Sequence, residues 1–316
     1  MRAGPGGKER VMEIVIAGGT GFIGKSLCEA LRLQGHGVTM LTRRRAEAER
    51  LFGPTVRAVE WDAAGPGAWE DSLKGTEAVI NLAGASIADA RWTAARKRLL
   101  IESRVKATRA LVQACSRLAV KPRVLINASG VGFYGPHGDE VLDESHGPGK
   151  GFLADLCVQW ESAAQEASSH GLRVVCLRTG MVLERDGGAL PRMALPFRLF
   201  MGGPVMPGTQ WISWIHREDL VGLIEWALSH PTVSGPLNGV APSPVTMAEF
   251  SRTLGRALRR PSWFPVPGAV LGLALGELGS LMTTGQKVAP VIAQQGGYRF
   301  RYPFLEGALR AIFAKA

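Results

Sequence analysis

The sequence predicts an α/β protein built on a doubly wound parallel sheet. Short β-branched runs alternate with helical apolar patterns, the first run ends in a cluster of glycines, and 316 residues are enough to bury a large core. Strand-helix-strand units of this kind connect with right-handed crossovers, so their strands run parallel. We therefore expect a Rossmann-like sheet with helices on both faces.

The first half of the chain supplies the sheet. We predict strands at residues 13–17, 38–42, 56–61, 78–82, 124–127 and 173–177. Apolar residues with helical spacing predict helices at residues 23–34, 96–118 and 152–169. These elements form a predicted dinucleotide-binding domain at 12–182.

After Gly180 the alternation of strand and helix patterns ends. Residues 187–208 are rich in Gly and Pro and show no regular hydrophobic period. We predict a strand at 211–216 and helices at 219–229, 247–258 and 304–314. The apolar stretch 264–283 contains two prolines and Glu277, which favours a helix packed on a second lobe over a membrane span. The sheet would be completed by about 211–236, and a smaller discontinuous C-terminal substrate lobe would comprise 183–210 and 237–316.

Composition narrows the choice of partners. The net charge is +10, but the basic residues are spread along the chain and no nucleic-acid motif accompanies them. We predict a solvated basic surface and a small-molecule substrate, without nucleic-acid or membrane partners; the oligomeric state stays open. The four cysteines form no CxxC pair, which favours buried thiols in a reducing, cytoplasmic location. No His, Cys and Asp cluster has metal-binding spacing, so we predict no metal.

The first strand runs into a glycine turn that predicts a phosphate site. Gly supplies positive φ, lets the backbone approach a pyrophosphate and lets helix and strand pack closely. The amides at the start of the following helix would then face the phosphates. The predicted cofactor-binding residues of this turn are Gly18, Gly19, Thr20, Gly21, Phe22, Ile23 and Gly24.

The end of the second strand indicates which dinucleotide binds. An NAD site usually has a carboxylate here for the ribose 2′-hydroxyl, whereas this chain has Thr42-Arg43-Arg44-Arg45. A guanidinium can hold a 2′-phosphate through two charge-assisted hydrogen bonds. We therefore predict NADP(H), with Arg43 on the phosphate and Thr42 as a hydroxyl donor. The alternative is a solvated basic turn.

Motifs along the whole chain resemble one family, and those after residue 180 are more specific than the glycine turn. They are Gly18–Gly24, Asn81-Leu82-Ala83-Gly84, Arg91-Trp92-Thr93, Ser103-Arg104, Arg178-Thr179-Gly180, Pro196-Phe197-Arg198, Gly202-Gly203-Pro204, Trp214-Ile215-His216, Asp219, Asn238-Gly239-Val240-Ala241-Pro242 and Gly285-Gln286-Lys287. This set resembles the epimerase family proteins of the "39U" type of extended short-chain dehydrogenases. The resemblance implies NADP(H) contacts at Thr42, Arg43, Leu82, Ala83, Gly84 and Arg104, with Asp62 on the adenine side.

The resemblance also exposes a gap in the expected chemistry. The superfamily uses a Tyr and a Lys one helical turn apart for proton transfer, but the corresponding stretch, 152–161, contains neither. Ser129 and Tyr134, just past the fifth strand, are the candidate catalytic residues, with Asp155 as another proton-transfer group or an exposed helix residue. A structural role for Tyr134 is the alternative, and it is the one we favour from sequence.

A substrate pocket is predicted at Trp214, His216 and Arg198, although core packing is an equal alternative for the tryptophan. Two functions follow from these residues. One is an NADP(H)-dependent oxidoreductase or epimerase-like enzyme acting on a small polar substrate. The other is a non-catalytic NADP(H)-binding protein, a redox sensor or partner-binding module that lost the Tyr/Lys pair.

Overall fold

The structure is a computed structural model, and it describes residues 10–63 and 65–314. The strands are β1 Glu13–Ala17, β2 Gly37–Thr42, β3 Arg57–Glu60, β4 Ala78–Asn81, β5 Val124–Gly130, β6 Val141–Leu142, β7 Arg173–Thr179, β8 Met181–Glu184, β9 Gly187–Gly188, β10 Trp211–Ile212, β11 Trp214–His216, β12 Gly235–Gly239, β13 Val245–Thr246 and β14 Lys287–Val288. The α-helices are α1 Phe22–Leu33, α2 Arg45–Phe52, α3 Ala94–Arg117, α4 Phe152–Gln165, α5 Leu190–Arg198, α6 Arg217–Ser229, α7 Met247–Leu258, α8 Gly268–Leu275, α9 Ser280–Thr283, α10 Val291–Gln295 and α11 Leu305–Ala314.

Seven parallel strands form the main sheet, in the order β12-β7-β5-β4-β1-β2-β3. The chain builds outward from β1 to β3, then returns to the other side of β1 with β4. The carboxyl ends of β1 and β4 therefore flank the point where the winding direction reverses. In open α/β sheets this switch point is where ligands bind, and the doubly wound parallel sheet predicted from sequence is confirmed.

Side chains along the strands point alternately to the two faces of the sheet, and helices cover both faces. Ile14 and Ile16 of β1 pack in one cluster with residues of α1 and α6, whereas Val15 and Ala17 pack in another with residues of α3. All four side chains are essentially buried. A strand buried on both faces reads as a continuous apolar run, which is why this strand was visible in the sequence.

The edge strand β12 has no counterpart among the predicted strands. Its sequence, Gly-Pro-Leu-Asn-Gly, lacks a β-branched run, and Pro236 is tolerated because the strand lies at the sheet edge. The predicted lobe boundary at residue 237 falls inside this strand. The last two residues of the predicted lobe lie outside the described part of the chain.

The C-terminal segments pack around a core of their own. Phe197 of α5, Phe250 and Leu254 of α7 and Leu309 of α11 are buried together with Trp214. The predicted single strand at 211–216 is two strands, because β10 pairs with β13 while β11 pairs with β8. Around α8, Arg91 donates to the Leu273 carbonyl, so this lobe contacts the loop after β4. Among the described residues, no helix is both long and apolar enough to cross a membrane.

Candidate functional site

A cavity of about 480 Å³ opens at the switch point of the sheet. It lies over the carboxyl ends of β1, β2 and β4, where the predicted cofactor residues converge. Of those residues, the ones that line it are Gly18, Thr20, Gly21, Thr42, Arg43, Asp62, Leu82, Ala83 and Gly84. Gly19, Phe22, Ile23, Gly24 and Arg104 lie outside the lining.

The glycine turn has different requirements at each position. Gly18 has φ +82°, and a Cβ there would lie 2.8 Å from the Leu82 carbonyl carbon, so the loops after β1 and β4 touch. A Cβ on Gly24 would lie within 2.6 Å of the Gly19 Cα, which fixes the close packing of α1 on the turn. Gly21 caps α1 with no side-chain hydrogen bond, and the first turn of α1 contains no acidic residue. The amides of α1 are therefore open to an anion.

The three arginines after β2 differ in their partners. Arg44 pairs with Glu47 at 2.8 Å, and Arg45 pairs with Glu49 at 2.7 Å. Arg43 lines the cavity, is exposed, and makes no ion pair or hydrogen bond with the described part of the chain. The Thr42 hydroxyl accepts from the Arg44 amide at 3.1 Å, which leaves its own proton free to donate.

A buried amide network holds the loop after β4. The Asn81 side chain is fully buried, donates to Thr108 at 2.9 Å and Asn127 at 2.7 Å, and accepts from the Ala83 amide at 3.1 Å. These bonds join β4, α3 and β5 and fix the path of the loop into the cavity. Asn81 is thus a positioning residue that the sequence motif contained without revealing its role.

Arg104 lies behind this loop. It is 6% exposed, donates to the Ala85 carbonyl at 3.0 Å and to the Leu100 carbonyl at 3.1 Å, and lies over the Trp160 ring. Burial lowers the pKa of its guanidinium to about 10. These contacts orient the loop at 82–86, and a direct contact between Arg104 and a cofactor stays a prediction.

Arg96 and Ser103 are among the cavity residues that were missed from the sequence. Arg96 donates to the Ser86 carbonyl and lines the cavity, whereas the sequence predicts only a solvated basic surface. Ser103 lines the cavity and accepts from the Ala85 amide at 3.1 Å. The sequence feature that could have identified them is their position on α3, the long helix after β4, because the first half of this helix lies over the switch point.

Ser129, at the end of β5, begins a chain of buried polar contacts. Its hydroxyl donates to the Glu161 carboxylate at 2.6 Å. Arg178 donates to both oxygens of the same carboxylate, each at 2.9 Å, in a geometry that is bidentate. Ser129 is 7% exposed, and Glu161 and Arg178 are also largely buried. The hydroxyl of Ser129 is therefore held toward α4 and β7 by an ion pair.

Tyr134 lies at the far end of this chain. Its hydroxyl donates to the Asn238 side chain at 2.8 Å and accepts from Arg178 at 3.0 Å. The ring is fully buried, and burial raises the pKa of the phenol, with Arg178 opposing that shift. A phenol whose donor and acceptor are both engaged inside the protein cannot also serve a substrate oxygen. The geometry supports the structural interpretation of Tyr134, and we do not retain it as a proton-transfer group.

The face of α4 that contacts the turn after β5 is apolar. A Cβ on Gly132 would lie 3.0 Å from Leu153, and the Cys157 thiol contacts the Gly130 carbonyl at 3.6 Å. Burial raises the pKa of the Cys157 thiol to about 11, so it stays protonated at neutral pH. Asp155 is exposed on the helix.

The three residues of the predicted substrate pocket are not brought together. Trp214 is fully buried and donates to the Ser243 carbonyl, so it belongs to the lobe core. His216 is 2% exposed, accepts from the Glu218 amide as the N-cap of α6, and stacks on Tyr302. Arg198 lines a separate cavity between α5, α7 and α11. Within the described residues, no group of three His, Cys, Asp or Glu side chains could hold a metal ion.

The fold and the glycine-lined cavity together define a dinucleotide-binding protein of the Rossmann type. The chain belongs to the NAD dependent epimerase/dehydratase family, whose sequence profile matches residues 14–238, and a domain of unknown function, DUF1731, matches residues 266–312. The short-chain dehydrogenase resemblance drawn from the motifs is thereby confirmed.

Similar proteins cover nearly the whole chain. An epimerase family protein SDR39U1 homolog, chloroplastic, from Arabidopsis thaliana is 41% identical over 307 residues, which are 96% of this chain and 88% of the relative. The crystal structure of human epimerase family protein SDR39U1 (isoform2) with NADPH has a TM-score of 0.85 and 36% identity, covering 96% of this chain and 100% of that one. A nucleoside-diphosphate sugar epimerase from Corynebacterium glutamicum has a TM-score of 0.78 and 32% identity, covering 97% of this chain and 59% of that one.

Proposed function

We propose that this chain is an NADP(H)-dependent oxidoreductase or epimerase-like enzyme that acts on a small polar substrate. The observation that carries the proposal is the cavity at the switch point. It is lined by Gly21 at the uncapped start of α1 and by Arg43, which is unpaired within the described ranges. The human relative was crystallised with NADPH, which supports the same cofactor here. A bound nicotinamide would supply a hydride acceptor or donor.

The residues present fit this dinucleotide. The α1 amides would hold the pyrophosphate, Arg43 and Thr42 would hold the 2′-phosphate, and Asp62 would lie on the adenine side. Leu82, Ala83 and Gly84 would lie along the cofactor, on a backbone that Asn81 and Arg104 keep in place. Four free, buried cysteines support a reducing, cytoplasmic location.

We expect the unmodified protein to bind NADPH more tightly than NADH, and Arg43→Ala to remove most of that preference. The loss is about 1.5–3 kcal/mol, the size of a hydrogen bond to a charged group. Calorimetric titration with both cofactors measures it, and Arg45→Ala, whose arginine is paired with Glu49, is the matched control. Equal affinity of the unmodified protein for the two cofactors would remove Arg43 from the site.

Ser129 is the remaining candidate for contact with a substrate oxygen. Its carboxylate partner Glu161 is the nearest group that could take its proton, and the Arg178 guanidinium keeps that carboxylate oriented. The Corynebacterium relative is described as a nucleoside-diphosphate sugar epimerase, which places nucleotide sugars on the substrate panel.

The test compares Ser129→Ala with Tyr134→Phe in NADPH oxidation on carbonyl compounds and nucleotide sugars. We expect Ser129→Ala to lower kcat about 100-fold, the usual contribution of a group that bonds the reacting oxygen. Tyr134→Phe should lower Tm and leave kcat nearly unchanged, because its hydroxyl bonds only Asn238 and Arg178. Equal kcat values for Ser129→Ala and the parent would exclude Ser129.

The second candidate is a non-catalytic NADP(H)-binding protein, a redox sensor or a partner-binding module. The observation that favours it is the apolar α4 face, where Leu153 and the protonated Cys157 lie next to the turn after β5. This second candidate is favoured if NADPH binds tightly and no carbonyl compound or nucleotide sugar is turned over.

A further inference from the structure

A second cavity, of about 580 Å³, lies between α5, α7 and α11. Among the described residues, it shares no lining residue with the cavity at the switch point. Within the described ranges, Glu306 is the one carboxylate of its lining, and five arginines from four segments of the chain line it: Arg185, Arg198, Arg256, Arg259 and Arg310. We call it the arginine cavity.

The charges of the arginine cavity are poorly compensated. Glu306 is already paired with Arg310 at 2.8 Å. The side chains of Arg198 and Arg259 make no hydrogen bond or ion pair within the part of the chain that the structure describes. Because like charges that share a concave site repel one another and draw in counterions, this cavity attracts an anion.

The partial negative charges at the helix C-termini do not compensate the positive charge of the arginines. Arg198 and Arg256 lie in the last turns of α5 and α7, where a cation complements the terminal carbonyl groups. Each helix end carries only about half a negative charge. Arg310 is paired with Glu306, and the two ends together offset about one of the three positive charges of Arg198, Arg256 and Arg259, which leaves an excess of about two.

The backbone of Arg259 gives a second reason. Arg259 follows α7 in the left-handed conformation, with φ 55° and ψ 45°. This position usually holds Gly, because a Cβ is disfavoured there. Arg259 lines the cavity in this disfavoured conformation, and backbone strain of this kind is typical of functional sites.

We propose that the arginine cavity binds a phosphate-bearing anion. The guanidinium fork matches phosphate oxygens, and the volume exceeds that of a bare phosphate. Leu258 and Phe313 add an apolar wall for the organic part of the ligand.

Two sources can supply the phosphate group. One is a free phosphorylated compound. The other is a lipid headgroup, since exposed Phe200 follows the cavity residue Arg198 closely in the chain and its carbonyl accepts from exposed Trp263. The proposal does not depend on catalysis.

The test uses the full chain saturated with NADPH, so that the switch-point cavity is occupied. Pyrophosphate is titrated by calorimetry, and vesicles containing phosphatidic acid are compared with phosphatidylcholine vesicles by sedimentation. We expect Arg256→Gln and Arg259→Gly each to weaken binding at least tenfold. Arg252→Gln, an exposed arginine on the same helix outside the cavity, should change it less than twofold.

Arg259→Gly separates binding from structure. Glycine fits the left-handed position better, so we expect Tm to rise while anion affinity falls. Binding of pyrophosphate indicates a free phosphorylated ligand, and binding of phosphatidic acid vesicles alone indicates a lipid headgroup. The proposal is overturned if neither probe binds, or if Arg256→Gln and Arg259→Gly bind like the parent. NADPH affinity, measured first, shows separately whether the cofactor site has failed.

Discussion

Replacing Gly21 by Val is expected to weaken NADPH binding at least 100-fold in a chain that still folds. Gly21 has φ −74° and ψ 177°, which any residue adopts, and an added Cβ would meet only the Gly18 carbonyl oxygen, at 3.2 Å. The fold therefore has little reason to exclude a side chain here. The branched side chain would instead occupy the space over the α1 amides, where the pyrophosphate lies in this fold.

Two other glycines make the experiment specific. Gly307→Val is the matched control, because Gly307 is exposed in α11 with nothing near its Cβ position, and we expect it to bind NADPH normally. Gly24→Val should instead lower Tm strongly, since its Cβ would collide with the backbone of Gly18 and Gly19. Fluorescence titration with NADPH and thermal melts of the three variants provide the comparison. An unchanged titration in folded Gly21→Val would show that the turn has only a structural role.

The fold was predictable because its signals are local. A run such as Ile14–Ile16 is buried on both faces of the sheet, so its apolar residues are contiguous in sequence. The glycine turn was predictable for the same reason, because the positive φ angle at Gly18 itself favours glycine at that position. The edge strand β12 was missed because its pairing with β7, rather than its own residues, makes it a strand.

The remainder of the site depends on the orientation of side chains, which no local pattern encodes. Tyr134 follows the fifth strand as a catalytic residue would, yet its hydroxyl turns inward to Asn238, 104 residues later in the chain. His216 looked like a pocket residue, and its ring caps the helix that follows it. Among the residues that the structure describes, Arg43 differs from its two neighbours in pairing with no carboxylate, which depends on where Glu47 and Glu49 fall on α2.

The second prediction with a large expected effect concerns the free energy of unfolding. It tests the ion pair between Glu161 and Arg178. Their side chains are 13% and 5% exposed, and Arg178 also donates to Tyr134 and lies 3.4 Å from the centroid of the Phe133 ring. Glu161→Met would leave the guanidinium buried without a counter-charge. Breaking one side of such a pair costs about 3–5 kcal/mol of unfolding free energy. Urea unfolding followed by circular dichroism measures this loss.

The double variant tests whether charge is the cause. In Glu161→Met with Arg178→Met both charges are gone, and apolar replacement of a whole buried pair is often nearly neutral, so the double variant should lose less than the sum of the single losses. Glu166→Met is the surface control, because Glu166 and Arg109 are about half exposed and their pair contributes at most about 1 kcal/mol. If Glu161→Met costs no more than Glu166→Met, or if the two single losses add fully, the ion pair does not hold α4 against β7, and the orientation of Ser129 must come from elsewhere.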